Sequence, residues 1–386
     1  FLIFFILYLL VVGRLAQLAL RRLFGLADNF FNLILGVFAV FVSLTSLAGV
    51  AILFLPLNFW VLAIVFVLNT VIYILLRRWT LNIKEALVVS EGLLEDGVSY
   101  KEKFVTIVFL ILVGYGFYLL YSSSTGKSIL SPWQTIDPQY IFIFFLSLIT
   151  LGSLIFTKLK TSTIVFFLIL QTFLLHSYLP LTHKLIYGAD GWRHIANEQR
   201  VLEGKEFLQA ELSGTAYINS TTGILKSTVG QLSYSNFWAA NVILAKAFKS
   251  ELLSVTRWFL PILWSVVFPI LLYEIALAFG WGRRRSLFFA WLGLLPFAWA
   301  SAGSFSLPVN FGLLIWLFLV LLILKRAIFP IKEQKLVLAI AGVSLFFGYS
   351  LYFILFWVVW GIIEFLSLQS AKYINLKKLI SVLSVA

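Results

Sequence analysis

The sequence predicts an all-α fold, a polytopic transmembrane helix bundle of about eleven membrane segments, each near the ~20 residues that a bilayer core demands. Three observations predict it. Hydrophobic residues make up 61% of the 386-residue chain and charged residues only 12%, and the mean hydropathy is +1.01. The apolar stretches are continuous runs of Leu, Phe and Ile, whereas a membrane barrel would alternate over segments of about ten residues. Lys and Arg gather between these runs rather than inside them.

In chain order the runs are 1–13, 30–54, 57–77, 104–122, 138–157, 162–179, 255–279, 286–302 and 308–325, followed by a longer one, 336–367. The first has no basic stretch before it and no small-residue cleavage site after it, so it reads as a truncated span and not as a signal peptide. The last run would measure about 48 Å as one helix, against a hydrocarbon core of about 30 Å. It therefore divides into two helices, broken near Gly348-Tyr349-Ser350. Glu274 and Glu364 lie in apolar runs close to a span end. They are expected to snorkel or to pair with Arg283, Arg284, Arg285 and Lys372. The chain has neither Cys nor Met, which excludes disulfide and thiol chemistry. With apolar runs at both ends, it reads as a fragment of a longer protein.

Cations set the orientation. Alternate connections carry Arg14, Arg21 and Arg22; Arg77, Arg78, Lys84, Lys101 and Lys103; Lys158 and Lys160; Arg283, Arg284 and Arg285; and Lys325, Arg326, Lys332 and Lys335. The short intervening loops carry only Lys127. The positive-inside rule places the basic set in the cytoplasm and the polar segment 180–254 outside. The formal charge of +13 is thus a matter of topology and anionic lipid, and nucleic acid is excluded as a partner. Two loops carry interfacial helices in this reading. Residues 80–103 predict a short amphipathic helix on the cytoplasmic surface. Residues 236–249, with Phe237, Trp238, Val242, Leu244 and Phe248 among polar residues, predict a helix lying flat on the outer surface.

The chemistry concentrates in the outer segment. All three histidines, His176, His183 and His194, fall in it or just before it. Residues 191–202 predict a helix with Asp190 as N-cap and Gly204 as stop signal. On it Asp190, His194, Asn197 and Glu198 share one face, while Trp192, Ile195 and Leu202 occupy another that can bury. An acid, an imidazole and a second acid then meet at the membrane's outer edge, as a general base with a polar or metal-ligating partner requires. The plain alternative is a capped surface helix with a solvated histidine. A zinc set of His183, Asp190 and His194 is the metal arrangement this composition offers. Asn219-Ser220-Thr221 matches a glycosylation sequon.

The wider pattern resembles the GT-C superfamily of integral membrane glycosyltransferases, which includes protein O-mannosyltransferases, aminoarabinose transferases and oligosaccharyltransferase catalytic subunits. The resemblance rests on the basic loop of Lys158 and Lys160, the span 162–179, and an outer loop opening Asp-x-x-x-His-x-Ala (Asp190, His194, Ala196), followed by Leu202 and Gly204. It continues through the aromatic helix 236–249, the span running into Arg283, Arg284 and Arg285, the short outer loop 302–308, and the span ending at Lys325 and Arg326. It covers 158–386 as a transmembrane module whose outer loop 180–254 holds the site, and leaves 1–157 as an N-terminal extension of five spans. Position 188 is Gly and position 192 is Trp, so Asp190 lacks the second acid of the Asp-x-Asp pattern many such enzymes carry.

The resemblance implies transfer of a sugar from a polyprenyl-phosphate donor to a glycan, lipid or protein acceptor, in a bacterial or archaeal cytoplasmic membrane. Asp190 would be the base, with His194 beside it. Arg257 would neutralise the leaving phosphate, with Lys246 and Lys249 as further candidates, and Glu198 would complete the substrate-facing surface. It leaves a divalent metal requirement open. Two other classes fit a polytopic chain, a transporter or flippase of lipid-linked or polar substrates and a non-catalytic assembly protein. A transporter calls for polar residues at the bilayer midplane and matched broken helices. Here mid-span positions are nearly all apolar.

Overall fold

Helix starts follow from local polar residues. Asn29 caps α2 (Phe30–Phe54) by accepting from the Asn32 amide at 2.9 Å. Asn58 does the same for α3 (Phe59–Thr80) through Val61 at 3.0 Å. Ser99 and Glu102 form a capping box on α4 (Tyr100–Ser122). Before these comes α1 (Leu2–Phe24), which carries helix straight through Arg14, Arg21 and Arg22. The first apolar run is therefore only the first part of a longer helix. The computed structural model describes residues 2–81, 83, 99–127, 130–205, 233–296 and 298–369. Most of the proposed surface helix at 80–103, the sequon and Lys372 lie outside them.

Further along come α5 (Gln139–Leu154), α6 (Thr161–His176), the short α7 (Tyr178–Thr182), α8 (Ala189–Leu202) and α9 (Ser235–Phe248). They are followed by α10 (Leu252–Ala278), α11 (Arg283–Leu292), α12 (Ala298–Ser304), α13 (Pro308–Ile328), α14 (Lys332–Gly348) and α15 (Ser350–Gln369). Among the described residues every named element is helical, and six of the helices (α1 to α4, α10 and α13) are long and apolar enough to cross a membrane. Helices α5, α6 and α15 are shorter and equally apolar. The chain is an integral membrane protein by this measure.

Two divisions of the long runs follow from the backbone. The last run breaks at Tyr349, whose extended backbone (φ −166°, ψ 117°) separates α14 from α15. Gly312 of α13 makes room for it, since a Cβ there would stand 2.7 Å from that of Tyr349. The run 286–302, expected as one span, is instead α11 and α12 with a non-helical stretch through Pro296. Proline removes an amide donor and clashes with the preceding turn.

Helix α10 is the hub, packed against α6, α8, α9, α11 and α13. It carries Pro261 and Pro269 inside its length, tolerable because neighbouring helices surround it. On one side α1, α2 and α3 pack together; on another α4 and α5 pack together, and α5 lies against α6. Helices α1 and α2 approach closely through small residues, for a Cβ on Gly36 would lie 2.5 Å from the Gly13 carbonyl oxygen. Between α1, α2 and α3 the Asn69 amide donates to Tyr8 Oη at 2.9 Å, and Ser43 Oγ donates to Asn69 Oδ1 at 2.7 Å. That polar cluster is satisfied from within and ties the three helices together.

The helix ends bearing cations meet one another. Arg22 donates to the Thr80 carbonyl at 3.1 Å, and Glu102 accepts from the Lys158 amide at 2.7 Å. Glu274 pairs with Lys325 at 3.4 Å, and Glu364 pairs with Arg326 and, at 3.0 Å, with Lys335. Both acids are paired as their place in apolar helices requires, but with cations of α13 and α14 instead of Arg283, Arg284 and Arg285. The reason is tertiary: α13 packs against α10, α14 and α15.

Candidate site on helix α8

Helix α8 begins two residues earlier than its sequence suggests. Gly188, at φ 92°, is the N-cap and makes no side-chain cap bond. Asp190 therefore lies in the first turn and does not cap it. It still sits where the helix dipole favours an acid. Gly204 stops the helix as expected, at φ 75°.

The burial of α8 inverts the expected pattern. The polar face is the one that docks: His194 is 7% exposed and Glu198 0%, whereas Trp192 is 44% exposed. Ile195 and Leu202 are half-buried against the core. The reason is the partner surface. Helix α9, expected flat on the membrane, is almost wholly buried and presents Trp238 and Asn241 to α8. It packs against α2 so tightly that a Cβ on Gly49 would lie 2.9 Å from the Asn236 amide nitrogen, and Asn236 donates to Ser46 Oγ at 2.9 Å.

His194 accepts a 3.1 Å hydrogen bond from the Trp238 indole at Nδ1. An indole N–H only donates, so the imidazole carries its proton on Nε2. That nitrogen faces Asp190 Oδ2 at 3.8 Å, an electrostatic contact too long for a hydrogen bond. Tyr234 meets the ring edge-on at 5.3 Å between centroids. Burial holds the His194 pKa below its ordinary value. Asp190 opposes that shift and Arg193 adds to it. His194 is accordingly a neutral, packed ring. Glu198 accepts from Asn241 Nδ2 and from Thr256 Oγ1, each at 2.7 Å. Burial pushes its pKa up to about 8 against those two hydrogen bonds.

Asp190 stays open. Its side chain is 63% exposed and its nearest cation, Arg193 at 3.9 Å, is itself exposed. Arg257 of α10 lines a small cleft together with Tyr187, Gly191, Ser304 and Ser306. The cleft thus joins the start of α8 to the loop that precedes α13. The Arg257 guanidinium donates to the carbonyls of His183 and Lys184, holding the chain that leads into α8. His183 in turn stacks on Tyr187 at 5.6 Å, and burial lowers its pKa.

The structure brings Asp190, His194 and Glu198 onto one helix and sets Arg257 beside its first turn. Neither lysine lines that cleft. Lys246 Nζ donates to the Leu57 carbonyl, and burial lowers its pKa. Lys249 is the exposed left-handed cap of α9, at φ 51°. Among the described residues no three His, Asp or Glu side chains gather as a metal-ligand set, so His183, Asp190 and His194 do not form the zinc site that composition offered. Sequence reasoning missed Thr256 and the docking role of Trp238 and Asn241. The available signal was polar side chains inside otherwise apolar helices. No protein-family model, curated protein or solved structure matches this chain.

Proposed function

We propose that this chain is a membrane glycosyltransferase of GT-C type, acting at the extracytoplasmic face on a sugar carried by polyprenyl phosphate. The observation that carries the reading is the setting of Asp190, an exposed carboxylate in the first turn of a helix that is anchored in the protein further along the same face by His194 and Glu198. Arg257 lines the cleft at that same turn. A transferase of this kind needs a base that reaches the acceptor, a rigid mount, and a cation near the departing phosphate. Asp190, α8 and Arg257 supply that set.

In the reaction, Asp190 accepts the proton of the acceptor hydroxyl as its oxygen forms a bond to the anomeric carbon. The bond from that carbon to the phosphate oxygen breaks, and the polyprenyl phosphate leaves with the electron pair. Attack opposite the leaving group inverts the anomeric centre. Arg257 has guanidinium donors beyond those held by the two carbonyls, and these face developing charge on the phosphate. Supporting the orientation, the basic helix ends meet one another through Arg22 and Thr80, Glu102 and Lys158, and Glu274 and Lys325. About eleven membrane segments follow if α5, α6, α14, α15 and the broken pair α11 and α12 cross together with the six longer helices.

The test is transfer of radiolabelled sugar from polyprenyl-phosphate donors in membranes containing the full-length protein. The expected result is incorporation above control membranes, lowered by at least about a hundredfold in Asp190→Asn with insertion unchanged. No incorporation from any donor overturns the function. Undiminished transfer by the variant overturns the role of Asp190.

A further inference from the structure

We propose that Glu198 is the positioning residue of the α8 site: its carboxyl group, clamped between Asn241 and Thr256, holds α8 on α9 and α10 and thereby sets where Asp190 stands. This rests on the glycosyltransferase reading for its purpose, but not for its geometry. Of the acids on and beside α8, Asp190 and Glu203 are exposed, and Glu198 is fully buried. Asn241 and Thr256, its two partners, are fully buried as well and come from two different helices. One side chain therefore bridges three elements, two turns along the helix from Asp190.

The clamp is made for a neutral acid. A buried carboxylate needs a cation or several donors, and among the described residues Glu198 has two neutral hydrogen-bond partners, Asn241 and Thr256. Several charged groups on the packed elements are bonded elsewhere or exposed. On α9, Lys246 is bonded to the Leu57 carbonyl; on α10, Arg257 is bonded to those of His183 and Lys184. On α8 itself, His194 is bonded to Trp238, while Asp190 and Arg193 are exposed. Desolvation acts on Glu198 against nothing but the hydrogen bonds from Thr256 and Asn241. Thr256 Oγ1 donates to a carboxylate Oε2; in the protonated acid that bond reverses, Oε2–H donating to Thr256 Oγ1, a hydroxyl that accepts as readily as it donates, while Oε1 still accepts from Asn241. Deprotonation would leave a charge buried between two helices and loosen the seat of α8.

A glutamine reproduces the neutral acid, with an amide donor for Thr256 and a carbonyl acceptor for Asn241. Alanine removes both bonds. The test is hydrogen–deuterium exchange of the α8 amides in the full-length protein in nanodiscs, at about pH 6.5 and pH 9 with intrinsic rates corrected, for wild type, Glu198→Gln and Glu198→Ala. Wild type should lose protection of α8 at least tenfold at the higher pH. Glu198→Gln should keep it at both, and Glu198→Ala should lack it at both. Equal pH dependence in wild type and Glu198→Gln, or wild-type protection in Glu198→Ala, overturns the proposal. Where transfer is measurable, Glu198→Ala should lower kcat at least tenfold with the donor KM within about twofold, and Glu198→Gln should restore most of it. A loss confined to KM would overturn the positioning role. The exchange measurement needs no turnover, so failure of wild-type transfer sinks the glycosyltransferase reading alone.

Discussion

His194 shows how a single side chain changes meaning with its surroundings. In the sequence it is an imidazole four residues after an acid, equally suited to catalysis, metal binding or solvent. In the fold it lies against Tyr234 and Trp238, accepts from the indole, and is kept neutral by burial. A folded-state pKa below the unfolded value means that the unfolded chain binds more protons, so this group's contribution to stability falls as pH drops below its ordinary value near 6.5. Thermal unfolding in nanodiscs should show that loss on acidification, and His194→Phe should remove it while keeping a ring in place. Trp238→Phe deletes the donor and leaves Nδ1 buried without a partner, at a cost of about 1–3 kcal/mol. The same variant should raise the His194 pKa in a histidine NMR titration, because the bond to the neutral ring is gone. Glu198 has the opposite sign. Its raised pKa makes its contribution full below the ordinary carboxyl range and lost as pH rises toward about 8.

At the scale of elements, α8 and α9 explain each other. Helix α9 carries Phe237, Trp238 and Val242, all buried, and reads on its own as an interfacial helix because its apolar residues are interleaved with Asn241 and Lys246. Its docking on α2 turns those polar groups into the seat for α8. The contact depends on Gly49, where any larger residue would press on the backbone at Ser235 and Asn236. Gly49→Val should therefore destabilise the protein by about 1–3 kcal/mol, read as a lower Tm. It should also expose α8 and α9 to exchange together, since they share the interface. A variant with exchange raised in α8 alone would show that α9 does not carry it. The break at Tyr349 belongs to this scale as well. It was legible in the sequence because helix length against bilayer thickness is simple arithmetic. The split of 286–302 was not, because Pro296 sits in an apolar run that passes any hydropathy criterion.

For the whole molecule, the cation pattern and the packing make one testable statement about sidedness. The chain has no cysteine of its own, so single-cysteine variants report cleanly. A cysteine at exposed Ser250 should react with an impermeant maleimide from outside intact cells, and one at exposed Lys101 only after permeabilisation. The reverse labelling would place α8 in the cytoplasm and remove the proposed site with it. Composition, run length and charge placement by themselves determined that the chain is helical, that it is built for a membrane, and where its polar residues gather. Those properties depend on transfer of each segment into a low-dielectric medium and are nearly additive along the chain. Only the tertiary structure decided which face of α8 is buried, that α9 is internal, which cations neutralise Glu274 and Glu364, and that Asp190 alone of the α8 cluster remains open. Those outcomes depend on pairing between residues far apart in sequence, Glu198 with Thr256 and Asn236 with Ser46 among them. Helical periodicity groups residues on a face, but the neighbouring helix settles whether that face meets water, lipid or protein.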